Sequence, residues 1–235
     1  MMSFTPLILA GGLGTRLWPA ISNLPKVLSP VNSRPFLSYL LDQLVETGIQ
    51  KIVLCTGHLG ELVREAFGYE YRGVAVQYSH EMTSLGTGGA LCHALALVSS
   101  EWVLAMNGDS YCGLDLKSYV GWHFKKKYNA SLVLTKIEDT GRYGSVKIDK
   151  DGRVLSFEEK CANVEPGWIN GGIYMLRKSL LASIPAGIKF SLERDLFPKL
   201  LDTGLYGFRF HGKFIDIGTP ESYLSAIKLF SEGCT

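Results

Sequence analysis

The chain of 235 residues contains no stretch of about 18 apolar residues able to span a bilayer, so a membrane partner is not expected. It does not open on a basic region leading into a long apolar segment, so no secretory leader is expected either. Charge of one sign is also lacking: 24 basic residues against 22 acidic ones leave a formal charge of +2. Binding nucleic acid needs a basic face, so DNA and RNA are not among the expected partners. The five cysteines, Cys55, Cys92, Cys112, Cys161 and Cys234, make no Cys-x-x-Cys pair, and their odd count does not suit a disulfide framework. They fit free thiols in a reducing cytoplasm. The five histidines show no zinc spacing. Linkers, repeats and low-complexity segments are missing too. Apolar residues are plentiful at 46%, which is enough for a sizeable core.

The apolar residues come in short runs that alternate with helical patterns over the first half. Strands are expected at 7–10, 51–56, 74–79 and 102–107. Helices are expected over 33–48, with Ser33 as cap, Pro35 in the first turn and Gly48 as stop, and over 60–67 and 86–98. This β-α-β-α order predicts an α/β fold, Rossmann-like, with a mostly parallel mixed sheet and helices on both faces. In the second half, 143–160 reads as two strands joined at Asp151-Gly152, and 167–176 as a strand followed by a helix. Residues 202–218 read as two short strands around a Gly212 turn, and 219–230 as a closing helix capped by Thr219 with Pro220 at its first position. Lys125–Lys127 reads as the solvated end of a helix. The organisation is a single domain, 1–235, with a nucleotide-binding-type first half and a more antiparallel second half.

The first strand runs straight into LAGGLGTRLWP, and a lysine follows at LPK. Glycines after a strand let several backbone N–H groups face a ligand, which makes a nest for phosphate. The string is not a P-loop. It also fails the dinucleotide fingerprint, because Leu17 stands at the third glycine position. Gly11, Gly12, Gly14, Thr15, Arg16 and Lys26 remain. A rigid guanidinium fork and a compact ammonium on one glycine loop suit a triphosphate whose charge must be managed during reaction.

With its later motifs, this string resembles the signature of the sugar-1-phosphate nucleotidylyltransferases. The resemblance continues through LGTGGAL (85–91), NGDS (107–110), YGSV (143–146), FEEK (157–160), NGGIY (170–174) and FIDIGTPESY (214–223), in the family's order and across nearly the whole chain. It implies nucleotide contacts from Leu9, Gly11, Gly12, Gly14, Thr15, Gly86, Thr87 and Asn107 in about the first 110 residues. It also implies sugar-phosphate contacts from Gly144, Glu159, Lys160, Asn170 and Gly172 in the remainder. Asp109 directly follows an apolar strand, where a carboxylate suits Mg²⁺. The resemblance gives Asp109 that role and makes Asp216 the second metal carboxylate.

Glu81 precedes the LGTGGAL motif. An ionised carboxylate only accepts hydrogen bonds, and guanine offers N1–H and an amino group side by side. GTP is therefore the expected donor, since uracil or thymine would suit a glutamine better. The expected reaction joins GTP to a sugar 1-phosphate and releases pyrophosphate, with Arg16, Lys26 and Lys160 stabilising the phosphates and Mg²⁺ as the cofactor. The chain looks closer to members acting on D-glycero-α-D-manno-heptose 1-phosphate than to mannose 1-phosphate guanylyltransferases, and closer to those than to uridylyl or thymidylyl transferases acting on a glucose phosphate. A non-catalytic nucleotide-sugar-binding regulator on the same fold stays open as an alternative. So does a homodimer, for which the sequence identifies no interface.

Overall fold

The structure, a computed structural model, describes residues 3–12, 24–141, 143, 145–157 and 165–231. The chain begins with β1 (Phe4–Leu9), a 3₁₀ turn (Lys26–Leu28), β2 (Pro30–Val31), β3 (Arg34–Pro35), α1 (Phe36–Glu46), β4 (Lys51–Thr56) and α2 (Gly60–Phe67). Next come β5 (Glu70–Tyr71), β6 (Val74–His80), α3 (Gly86–His93), β7 (Trp102–Asn107), β8 (Ser110–Cys112), α4 (Leu116–Lys126) and β9 (Ala130–Ile137). After β10 (Val146–Ile148), β11 (Val154–Phe157), β12 (Gly167–Arg177) and α5 (Lys178–Ala182), a π-helical turn (Leu192–Leu196) enters α6 (Phe197–Thr203). The chain ends with β13 (Tyr206–Phe210), β14 (Phe214–Asp216) and α7 (Pro220–Ser231).

Eight strands form one sheet in the order β13-β9-β12-β7-β1-β4-β6-β5. The block β7-β1-β4-β6 is parallel. Its strands are near-continuous apolar runs because both sheet faces are covered. Successive β1 residues show this: Ile8 enters one core layer and Leu7 the other. The first layer gathers the buried faces of α1, α2, α4 and α7 through residues such as Phe36, Val63, Leu116 and Ala226. The second gathers α3, α5 and α6 through Leu91, Leu181 and Phe197. The strand order reverses between β4 and β7 on either side of β1, and ligands in open α/β sheets bind beyond the carboxyl ends of strands at such a point.

The second half extends this sheet rather than lying over it. β12 runs antiparallel between β7 and β9, and β13 adds in parallel at the edge. The expected hairpin at Asp151-Gly152 is present as β10 and β11. The two strands flanking Gly212 do not pair with each other: β13 joins β9, while β14 joins β8. The apolar side chains of β13 reach the first core layer, and β14 is drawn away to the short strand after β7. The first long helix starts at Phe36, not Ser33. Ser33 has φ 65° in the turn between β2 and β3, and Pro35, unable to donate, stands at the cap position. Thr219 does cap α7, its hydroxyl accepting from Ser222 N. Lys125 and Lys126 close the last turn of α4, as expected. Among the described residues, no helix is long and apolar enough to cross a membrane.

Candidate active site

The carboxyl ends of β1, β4, β6 and β7 surround a cavity of about 240 Å³. Nine expected site residues line it: Leu9, Gly11, Gly12, Lys26, Glu81, Gly86, Thr87, Asn107 and Asp109. Val27, Cys55, Ser84 and Ala90 also line it, as apolar or small wall residues. Gly14, Thr15, Arg16, Gly144, Glu159 and Lys160 lie outside the described residues.

Backbone crowding sets the glycines. A Cβ on Gly11 would stand 3.0 Å from Glu81 Oε1 and from Gly57 N, so a side chain there would press on the Glu81 wall. Gly12 has open space around it and faces the cavity. Gly108 lets the end of β7 cross β1 closely: its N–H donates to Leu9 O at 2.9 Å, and a Cβ there would collide with the same oxygen. This crossing presents Asp109 at the floor of the cleft.

Lys26 reaches the floor from the 3₁₀ turn, which buried Val27 and Leu28 anchor. Its ammonium donates to Asp109 Oδ2 at 2.5 Å. Asp216 arrives from β14, where it pairs in register with Ser110, and Ile217 N donates to Asp109 O at 3.0 Å. Its carboxylate is buried and accepts from Gly218 N at 2.6 Å, from Ser222 Oγ at 3.3 Å and from the Tyr143 hydroxyl. The sheet topology thus brings together the two aspartates named for metal, with a lysine against the first.

On the opposite wall, Glu81 leaves the end of β6 with its N–H donating to Thr56 O at 2.9 Å. Oε2 accepts from Leu85 N at 3.1 Å, while Oε1 faces Gly11 and Gly57. Burial pushes its pKa up, opposed by the Leu85 amide and by His93 and His80. The glycines of LGTGGAL have a structural cause as well as the expected ligand-facing one. Gly88 N and Gly89 N both donate to Phe190 O, and a Cβ on Gly86, Gly88 or Gly89 would meet Phe190 or Ile188 at 2.7–2.8 Å. The segment ending at the π-helical turn lies where those side chains would be.

The NGGIY motif is a shaped irregularity in β12, whose register against β9 shifts between Asn170 and Tyr174. Asn170 Oδ1 accepts from Gly172 N at 2.9 Å, and Asn170 Nδ2 donates to the Tyr174 hydroxyl at 2.9 Å. Gly172 has φ +75° and sits where a Cβ would be 2.9 Å from Asn107 Nδ2. Asn107 Oδ1 is buried with no partner among the described residues. Glu193, which no sequence motif singled out, accepts from both Thr87 and Tyr174. A cleft with a cation at its floor, a partly buried carboxylate on one wall and glycine backbone around the rim can hold a polyphosphate and read a ring with adjacent donors.

The chain matches curated relatives over nearly their full length. The chain is 39% identical over 223 residues to the D-glycero-alpha-D-manno-heptose 1-phosphate guanylyltransferase of Aneurinibacillus thermoaerophilus, covering 94% of this chain and 96% of the relative. It is 38% identical over 220 residues to the enzyme of the same name from Campylobacter jejuni, covering 92% and 96%. Among solved structures, HddC from Yersinia pseudotuberculosis complexed with GMP-PN superposes with a TM-score of 0.86 at 34% identity, covering 97% of this chain and all of that one. The model of the nucleotidyl transferase family matches residues 5–232, and the chain belongs to that family.

Proposed function

We propose that the chain transfers a guanylyl group from GTP to D-glycero-α-D-manno-heptose 1-phosphate in the cytoplasm and releases pyrophosphate. The observation that carries this reading is the pairing within one cleft of the Lys26–Asp109 floor with the Glu81 wall. Two relatives bearing the name of that activity, each matched over 96% of its length, support the choice of substrates. The first half of the chain holds the nucleotide and the second half the sugar phosphate.

The sugar phosphate brings its own anionic nucleophile, so no general base is needed. The barrier lies in bringing two anions together and in charge growing on the bridging oxygen. Lys26 moves from Asp109 to the reacting phosphates. Arg16 holds the leaving phosphates and Lys160 the attacking one. Glu81 accepts the adjacent donors of guanine, Gly11, Gly12, Gly14 and Thr15 offer backbone to the phosphates, and Glu159, Asn170 and Gly144 meet sugar hydroxyls. Asp109 and Asp216 would hold Mg²⁺, an ion that takes carboxylate oxygens, and Asp109 is 40% exposed beside the cleft. When bound there, the ion neutralises phosphate charge.

The test is pyrophosphate release from purified protein with Mg²⁺, using GTP, ATP, CTP, UTP and dTTP against heptose, mannose and glucose 1-phosphates. Release with GTP and the heptose is the expected result. GTP with mannose 1-phosphate would keep the chemistry and change the sugar. No release from folded protein that still binds a nucleotide would make the chain a regulator.

A further inference from the structure

Resting on that reading, we propose that Glu193 is a positioning residue that ties the nucleotide wall of the cleft to the sugar wall. Its carboxylate joins two elements that meet nowhere else through side-chain hydrogen bonds among the described residues. Oε2 accepts from the Thr87 hydroxyl on the first turn of α3 at 2.8 Å, and Oε1 accepts from the Tyr174 hydroxyl on β12 at 3.2 Å. Beyond Thr87 lies the loop that carries Glu81. Beyond Tyr174 lies Asn170, which donates to that hydroxyl and shapes the turn of backbone at Gly172.

The chemistry calls for an anion at this point. Three hydroxyls converge on Glu193, since Ser191 Oγ also donates to Oε2 at 2.8 Å. An ionised carboxylate accepts from all three, whereas an amide turns a donor toward at least one of them. The arrangement also fixes Thr87. Its oxygen accepts from Leu192 N at 2.8 Å and its proton goes to Glu193, so the hydroxyl has no proton left to donate into the cleft.

The segment has capping and docking bonds that do not involve Glu193. The turn is capped by its neighbours: Ser191 N donates to Asp195 Oδ2 at 2.7 Å, and Arg194 N donates to Ser191 Oγ at 3.2 Å. Docking onto α3 is made by backbone, with Phe190 N donating to Leu85 O and Phe190 O accepting from Gly88 and Gly89. A glutamate whose turn and docking also rest on other groups, and which alone spans from Thr87 to Tyr174, has relative placement of the two walls as its distinct task. An in-line transfer between two bound substrates is sensitive to that placement, because misalignment of about 1 Å can cost about a hundredfold in rate.

Glu193→Gln keeps the side-chain volume and removes the anion. In the pyrophosphate assay, its kcat is expected to fall roughly 10- to 100-fold while KM for GTP changes by less than about threefold. Tyr174→Phe should give a similar loss. The double variant should be no slower than the slower single one, because both cut the same link. Wild-type kinetics in Glu193→Gln would overturn the assignment. So would losses that multiply in the double variant, or a loss that tracks a lowered Tm and vanishes on cooling. If the wild-type protein forms no product with any substrate pair, the functional reading fails while this one is still decided. In amide NMR spectra, the side-chain signals of Asn170 shift in Glu193→Gln if the link is real and stay in place if it is not.

Discussion

Lys26 and Asp109 form an ion pair across the cleft floor, Nζ to Oδ2 at 2.5 Å, with the lysine side chain 11% exposed and the aspartate 40%. The ammonium therefore occupies a position from which a divalent cation would approach Asp109. Gly218, whose amide orients Asp216, borders the same ammonium: a Cβ on it would be 3.7 Å from Nζ. In the free protein a lysine serves as the cation of the two-aspartate floor. On the proposed mechanism, a nucleotide that draws Lys26 onto its phosphates would leave Asp109 open at the moment the phosphates need neutralising.

The first prediction follows from removing that lysine. Lys26→Met takes one positive charge from the floor and frees Asp109. Mn²⁺ should bind the nucleotide-free variant about tenfold more tightly than the nucleotide-free wild type, an increment modest against the several kcal/mol of a close ion pair near a protein surface. Guanylyl transfer should fall by about 10²- to 10³-fold, because a cation acting on the transition state is gone. Mn²⁺ titration followed by electron paramagnetic resonance reads the first effect and pyrophosphate release the second. Equal Mn²⁺ affinity in the two proteins would show that Lys26 does not compete with the metal.

Glu81 gives a pH signature. Burial holds its pKa above the ordinary carboxylate value, so its ionised form is lost earlier than usual as pH falls. Only the ionised form can accept both adjacent donors of guanine. KM for GTP should therefore rise on acidification, with a component that begins above the normal glutamate range and depends on Glu81. Glu81→Gln should abolish that component and shift the donor preference from GTP toward UTP. A variant that keeps full GTP preference and the same profile would remove Glu81 from base recognition.

Much of the site was legible because its motifs sit at strand ends, where apolar runs announce the strand and small or charged residues announce its end. Asp109 after β7 and Gly11 after β1 are of this kind. Glu193 was not legible: nothing in SLERDLF distinguishes it from a solvated helix glutamate, and its partners Thr87 and Tyr174 are remote in sequence. The parallel block β1, β4, β6 and β7 could be read directly. β9, buried from Ala130 to Thr135, came without a sequence expectation although it is equally apolar, since no glycine motif marks its end. The glycines of LGTGGAL were legible as constrained but not as constrained by what. A ligand and a packed backbone make the same demand for a missing Cβ.

Gly89 tests which of those demands applies. A Cβ there would lie 2.7 Å from Ile188 O and 2.9 Å from Leu85 Cβ, contacts with backbone and with a buried neighbour that cannot simply turn aside. Gly89→Ala should destabilise by about 1–3 kcal/mol, the usual cost of overpacking, which for a chain of this size lowers Tm by roughly 2–12 °C. Differential scanning calorimetry reads this directly. An unchanged Tm would mean that the segment at Ile188–Phe190 shifts freely, and the structural cause given for the glycine would fall.

The last prediction concerns acid stability and rests on a histidine far from the cleft. His123 on α4 is fully buried against Trp102, their ring centroids 4.9 Å apart. A chain of hydrogen bonds reaches its Nδ1. Met175 N donates to the Tyr119 hydroxyl at 3.0 Å, that hydroxyl and Ser131 Oγ are 2.9 Å apart, and Ser131 Oγ and His123 Nδ1 are 2.7 Å apart. If each hydroxyl passes its proton onward, Nδ1 is the acceptor and the proton rests on Nε2, which is buried without a partner among the described residues. A second proton would bury a charge and point two donors at each other, and burial pushes the pKa down from 6.5 to about 4. The unfolded chain takes up that proton first. The stability due to neutral His123 is therefore complete above about pH 6.5 and is lost as pH falls toward 4, by up to about 3 kcal/mol, or on the order of 10 °C in Tm. His123→Phe keeps a ring against Trp102 and cannot titrate, so its Tm should fall less steeply across that interval even if it starts lower. Parallel Tm curves for the two proteins between pH 6.5 and 4 would show that folding does not lower the pKa of His123.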